Sequence, residues 1–543
     1  MRAHMAQQTP YSDKRFLILD DQAEMRSSLR NQVGSLGCEQ VTTAASVRDA
    51  LQKLSVGSVD VILCDFYLGG GTDGQQFLES LRTRRIIGRG VLFIMVTAEK
   101  GYESVVTAAE CLPDDYLLKP FTADALRQRL ERLLERKRRL ARIDQLQDAG
   151  NWTGAASACD EIIAARDRYL VDALRIKGNA LVQARQADNA IAFYRQVLSM
   201  RPLPWAKLGL ARALQQQGSA EAAKQVLGEL IDAAPKLTAA YDLLGKLHQD
   251  SGNTDAAIEI LDKACRVAPN SLARQRSIAA VAEQKGDFAR VEQALGQVIR
   301  KTRHSPLRET ADFARLGNAY CEMGEAGKAV GLLEEARATG KEAAADPLLA
   351  AVEAIAQKKA GNAEKAAAAL ERALQADPAA LTDDAALNLA RACLLAGRQD
   401  SAQGILRRLV QGNPEAKQLH ERITAVLRDN GAPDLAEQLV AESIREIVQL
   451  NNDAVRRAKA GDVAAAGEML CEAAHRLPTN LQIMANAALV VYLDIFRNGL
   501  DSEKLRSAQA FQQAVQAQQP NHPKLAEIAA LAEQVRSKYG RSD

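Results

Sequence analysis

Residues 243–269 read LLGKLHQDSGNTDAAIEILDKACRVAP, and the spacing of small residues along this stretch decides the fold of most of the chain. Gly252 follows Gly245 by seven residues, Ala257 comes five later, Ala264 seven later and Pro269 five later. A glycine permits a tight turn after a first helix, small alanines let two antiparallel helices approach closely, and a proline stops the second helix. The same marks stand 34 residues earlier at Gly218, Ala223 and Pro235. They return at Gly324, Ala329 and Ala336, at Gly361, Ala366, Ala373 and Pro378, and at Gly397, Ala402 and Pro414. Gly431 and Ala436 begin another copy, and Gly461, Ala466, Ala473 and Pro478 one more. Degenerate copies precede these at Gly178, Ala190, Tyr194 and Pro202 and around Gly150 and Ala155, about ten or eleven in all. A helical hairpin cannot bury its apolar face alone, so such copies stack on their neighbours. The spacing lengthens between Gly286 and Gly397 and shortens between Gly431 and Gly461, and the copy at Leu481–Pro523 is the least regular.

Before this array the periodicity is different. Phe16-Leu17-Ile18-Leu19, Val59 to Cys64, Val91 to Val96 and Tyr116-Leu117-Leu118 are short apolar runs, with a weaker strand at Val41 to Thr43. Continuous apolar runs of this length suit parallel strands covered on both faces. Helices are expected to start near Gln22, Val47, Gly74, Tyr102 and Thr122, giving five βα alternations and an α/β doubly wound, five-stranded parallel sheet. The chemistry of such a fold lies at the carboxyl ends of its strands. Asp20 and Asp21 follow the first strand, Asp65 the third, Thr97 the fourth, and Lys119 with Pro120 the fifth.

Composition narrows the function classes. The 543 residues are 47% hydrophobic, 25% charged and 4% aromatic, proportions of a folded protein with closely packed helices. A formal net charge of +2 argues against a nucleic-acid or acidic-membrane surface over the whole molecule. No run of 18 apolar residues occurs, so no membrane insertion is expected. The eight cysteines are dispersed without a CxxC pair, which favours reduced thiols in a cytoplasmic protein. No Ser-His-acid set, zinc motif or nucleotide loop is visible, and the chain is not expected to be an enzyme.

The repeat period and residue types resemble the tetratricopeptide repeat family over residues 140–520, which implies an all-α superhelix. The combination of Asp20, Asp21, Asp65, Thr97 and Lys119 resembles the receiver domain of bacterial two-component response regulators over Lys14 to Leu134. That resemblance implies Mg²⁺ in an all-oxygen pocket, with Asp21 and Asp65 as direct ligands, Asp20 acting mostly through water, and the main-chain carbonyl of Tyr67 as a further ligand. It makes Asp65 the phosphoacceptor for a sensor histidine kinase or phosphotransfer protein, and Lys119 the ion-pair partner of the acyl phosphate. Thr97 would then swing towards a phosphoryl oxygen, Ala98 would leave room beside it, and Tyr116 would turn inward. The segment FYLGGGTDG departs from the family pattern: glycines replace the usual proline, and one extra residue precedes Gly74.

The organisation expected from these readings is a disordered N-terminus or cloning remnant over 1–13, a receiver domain over 14–134, a helical basic junction over 135–145, a repeat array over 146–522, and a capping helix and tail over 523–543. Arg127 to Arg142 carries eight basic and two acidic residues at helical spacing, either a solvated helix face or a binding surface. The tetratricopeptide resemblance implies a concave groove lined by the first helix of each pair; there Arg175, Asn179, Arg212, Lys246, Arg276, Asn318 and Arg391 are either a stripe for an acidic or carboxylate-ending peptide or solvated positions with no special role. The expected function is a response regulator whose output is protein–protein interaction through the repeats. A phosphorylation-independent scaffold and a nucleic-acid regulator using the basic junction are the alternatives, and a homodimer stays open.

Overall fold

Phe16–Leu19 (β1), Val61–Asp65 (β3) and Leu92–Thr97 (β4) are buried at every position, as strands covered on both faces must be. Val41–Ala44 (β2) and Asp115–Leu118 (β5) are only partly buried, because they form the two edges of a parallel sheet of order β2-β1-β3-β4-β5. This computed structural model describes residues 11, 13–69, 73–98, 113–269, 271–303, 305, 308–519 and 522–540. Helices Ala23–Ser35 (α1), Val47–Val56 (α2) and Gly74–Thr83 (α3) begin within a residue of their expected starts. The helix expected near Tyr102 lies outside the described residues. Side chains alternate between two cores. Ile18, Leu63 and Ile94 pack with Leu29, Val33, Leu126 and Leu130 on one face, and Leu19, Ile62, Phe93 and Met95 pack with Ala50, Phe77 and Leu81 on the other.

Register aligns the strand ends. Leu19 lies opposite Cys64, Asp65 opposite Val96, and Thr97 opposite Leu118. The residues that follow β1, β3, β4 and β5 therefore reach one edge together.

The helix after β5 runs unbroken from Ala123 to Asp148, capped by the Thr122 hydroxyl, which accepts from the Ala125 amide. Leu126, Leu130, Leu133 and Leu134 belong to the core of the sheet, whereas Leu140 and Ile143 of the same helix pack with Ala155, Cys159 and Ile162 of the following helical region. One helix is thus shared between two cores. A fragment of residues 135–543 keeps Leu140 in place and should be strongly helical by circular dichroism, since each repeat needs only its neighbours. Cutting at 141 removes Leu140 and should cost its first hairpin about 2–5 kcal/mol, seen as an earlier thermal transition. A longer fragment with little helical signal would contradict this architecture.

Beyond Asp148 every described element is a helix. Gly252 takes φ +74° at the turn between Thr238–Asp250 and Thr254–Val267, the left-handed conformation that a side chain disfavours. Close approach has its own signature. Tyr194 wedges between two helices at points where a Cβ on Gly178 or Gly209 would come within 2.6 or 2.2 Å of its ring. By compactness the chain divides into Met1–Glu309 and Thr310–Asp543. Within the second unit, part of the longer spacing is taken up by a short extra helix, Lys341–Ala344. The shorter spacing has the opposite cause. Pro433–Lys459 is a single 27-residue helix, because no glycine or proline interrupts residues 434–459. The last helix, Leu525–Tyr539, buries Ile528 and Val535 in the core that includes Leu481–Asn498.

Candidate functional site

Asp20 leaves β1 completely buried and Asp65 ends β3 with 6% of its surface exposed, while Asp21 is exposed. Ligand oxygens of the three carboxylates lie within 4.8 Å of one another. The Lys119 ammonium bridges two of them, 3.0 Å from Asp20 Oδ2 and 2.9 Å from Asp65 Oδ1. Its backbone is fixed by the sheet, since the Lys119 amide donates to the Thr97 carbonyl at 2.7 Å. Thr97 is buried, Ala98 is exposed, and Tyr116 is half-buried against the core that holds Phe93 and Met95.

Electrostatics follow from this crowding. Burial pushes the Asp65 carboxyl above its ordinary value; Lys119 opposes that shift and Asp20 adds to it. Burial also works against the Lys119 ammonium, but its hydrogen bonds to Asp65 and Asp20 outweigh that and hold its pKa up. Three carboxylates against one ammonium leave excess negative charge on hard oxygen donors. This set fits a divalent cation, and Lys119 already occupies part of the place such a cation would neutralise.

Sequence reasoning missed the residues that hold the loops. Arg26, on the first turn of α1, donates to the main-chain carbonyls of Asp20 and Asp21 at 2.9 and 3.0 Å and fixes the turn that carries both acids. The signal available was a lone arginine one helical turn beyond an acid pair. Gly74 is a second case. Its amide donates to the Phe66 carbonyl at 2.8 Å, and a Cβ there would lie 2.6 Å from the Asp65 carbonyl oxygen and 2.7 Å from Met95 Sδ. Asp73 forms a capping box with Gln76 at the start of α3, and Tyr67 pairs with Asp73 in an isolated antiparallel bridge. The loop between Tyr67 and Asp73 is therefore pinched at its base; Gly70, Gly71 and Thr72 lie outside the described residues.

Residues 16–131 match the response regulator receiver domain family. The chemotaxis protein CheY of Pseudomonas aeruginosa is 31% identical over 122 residues, 22% of this chain and 97% of that protein. The chain belongs to the response regulator receiver family. Chemotaxis protein CheY-3 of Vibrio cholerae is 30% identical over 122 residues, 22% of this chain and 92% of that protein. Beyond the receiver, residues 140–203, 181–247, 238–271 and 358–427 match tetratricopeptide repeat families. A solved tetratricopeptide repeat protein from Parabacteroides merdae is 14% identical, with a TM-score of 0.32, covering 49% of this chain and 98% of that one. No helix among the described residues is long and apolar enough to cross a membrane.

Of the residues expected to line a groove, Arg175 and Lys246 are exposed, and Asn179 and Arg212 are half-buried. Arg276 pairs with Glu309 at 3.1 Å, Asn318 with Asn388 at 2.8 Å, and Arg391 with Glu322, which also takes Lys359 at 3.3 Å. The basic segment after the receiver is bonded too. Seven of its eight cations (Arg127, Arg129, Arg132, Arg136, Lys137, Arg139 and Arg142, leaving Arg138) have carboxylate partners.

Proposed function

We propose that the chain is a phosphorylation-controlled response regulator: a sensor histidine kinase or phosphotransfer protein phosphorylates Asp65, and the repeats bind a protein partner in response. The observation that carries this reading is the Lys119 ammonium held between Asp20 and Asp65 at the carboxyl edge of a parallel sheet. Asp21, Asp65 and the main-chain carbonyl of Tyr67 would hold Mg²⁺, with Asp20 acting through water, and the ion when bound supplies positive charge to the transferring group. An Asp65 carboxylate oxygen attacks phosphorus as the bond from phosphorus to the donor nitrogen breaks, giving an acyl phosphate and a free imidazole. Lys119 neutralises charge on the phosphoryl oxygens, and the Thr97 hydroxyl donates to one of them. Tyr116 then moves into the room beside Thr97 and Ala98.

On this reading the chain acts in the cytoplasm and is not itself an enzyme of output. It comprises a receiver over 14–134, a basic junction over 135–145, repeats over 146–522 and a cap over 523–543. Of the expected groove residues, the exposed Arg175 and Lys246 are the ones offered to a partner. Affinity capture with and without Mg²⁺ and beryllofluoride tests the reading. Partner recovery should differ several-fold between the two states, and Thr97→Ala should still accept phosphate while losing most of that difference. Equal recovery and equal oligomeric state in both conditions would replace the switch with a static scaffold.

A further inference from the structure

Asp114 stands at the entry to β5, the opposite end of that strand from Lys119. Its side chain is 10% exposed and takes Lys137 at 3.0 Å, Arg136 at 3.5 Å and Arg82 at 3.9 Å. It also accepts from the Phe93 amide at 3.0 Å, and its own amide donates to the Phe93 carbonyl at 2.8 Å. Arg136 does not stop there: it donates onward to Asp172 at 2.7 Å, on helix Leu170–Gln183 of the repeat array. One guanidinium thus spans the receiver and the array. The α3–β4 loop is tied down nearby, where the Arg89 amide donates to Asp148 at 3.0 Å and the Arg89 guanidinium lies 5.8 Å from the Trp152 ring centre.

The pairs made by this segment are not equivalent. Arg142 and Glu161 are each more than two-thirds exposed, and such pairs are screened and contribute little. The Arg136 side chain is 30% exposed and Asp172 29%, with Asp114 deeper still. Burial alone would weaken the Arg136 charge, yet Asp172 and Asp114 raise its pKa. β5 is only four residues long and is hydrogen-bonded to β4 along its length. Lys119 and Asp114 therefore flank the same four-residue strand, one at each end.

We propose that Arg136 is a pin between receiver and repeats: the Asp114–Arg136–Asp172 clasp makes the entry of β5 and the helix Leu170–Gln183 open together, and through β5 it reports the state of the acid pocket to residues 170–183. The reporting half rests on the phosphoacceptor reading, whereas the clasp does not. Hydrogen exchange on the full chain tests both. Asp172→Asn removes only the array side and touches nothing in the acid pocket; Arg136→Ala removes the pin; Arg142→Ala is the control at an exposed pair.

Without ligand, Asp172→Asn and Arg136→Ala should speed exchange together at 114–118 and 170–183, on the order of tenfold, with 238–267 unmoved and Arg142→Ala silent. Faster exchange at 170–183 alone, or no change at either segment, overturns the clasp, and Asp172→Asn decides if Arg136→Ala does not fold. With Mg²⁺ and beryllofluoride, the wild-type chain should change at both segments and Asp172→Asn at 114–118 only. Undiminished transmission in Asp172→Asn overturns the relay. If beryllofluoride changes nothing in the wild-type chain, even at Thr97 and Lys119, the phosphoacceptor reading fails with its relay, and the clasp is judged by the unliganded comparison alone.

Discussion

Incubated with Mg²⁺ and acetyl phosphate or carbamoyl phosphate, the chain should take up one phosphoryl group per molecule, and Asp65→Asn should take up none. Asp65 is the acid placed for this role. Asp20 is fully buried and commits one oxygen to the Gln22 amide at 2.9 Å and the other to Lys119. Asp65 also shares Lys119, yet keeps a small exposed surface through which a donor can reach it. The nucleophile must be ionised; without a metal, burial raises the Asp65 pKa above the ordinary 3.8, and a bound dication opposes that shift. The same shift has a stability consequence of definite sign in a chelator. Ionised Asp65 is disfavoured by the fold, so Asp65→Asn should stabilise the chain above the raised folded pKa. That gain should disappear as pH falls below 3.8, where the carboxyl is protonated folded and unfolded alike. Undiminished labelling of Asp65→Asn would show that another residue is the acceptor.

The acid pocket was legible because each of its residues ends a strand whose apolar run announces it, and parallel register does the rest. The loop supports were less legible. Gly74 sits in the sequence as one more glycine of FYLGGGTDG, and only the approach of its backbone to Asp65 distinguishes it. The repeats were readable from Gly252 and its counterparts because a positive φ leaves a mark in residue type. Long-range pairing leaves none. Arg391 reads as a groove cation until Glu322, 69 positions away, is found against it. Arg136 likewise reads as part of a solvated basic face until Asp114 and Asp172 close around it. Local chemistry fixes elements and caps, whereas which charges neutralise one another depends on distances that only the fold supplies.

Lys119→Ala should be the most destabilising single change in the pocket, and the one that Mg²⁺ best repairs. The side chain of Lys119 is 17% exposed, and it faces an Asp20 carboxylate with no exposed surface and an Asp65 carboxylate at 9%. Removing one partner of a buried ion pair strands the other charge, at a cost of about 3–5 kcal/mol. Denaturation in a chelator should reveal that loss at neutral pH. The window has two ends. It closes at acid pH as the carboxylates take up protons, beginning at the raised pKa of Asp65. It closes at alkaline pH only as Lys119 of the wild-type chain loses its proton, above 10.5, since a raised ammonium pKa contributes stability that is full below the unfolded value and lost through the folded one. Without the competing ammonium, Mg²⁺ should bind the variant more tightly than the wild-type chain. At a free concentration of ~100 times the dissociation constant it should restore roughly 2.7 kcal/mol. A variant that unfolds with the wild-type chain in chelator, and binds Mg²⁺ no more tightly, would mean that Lys119 does not neutralise Asp20 and Asp65, and the electrostatic account of the site would fall with it.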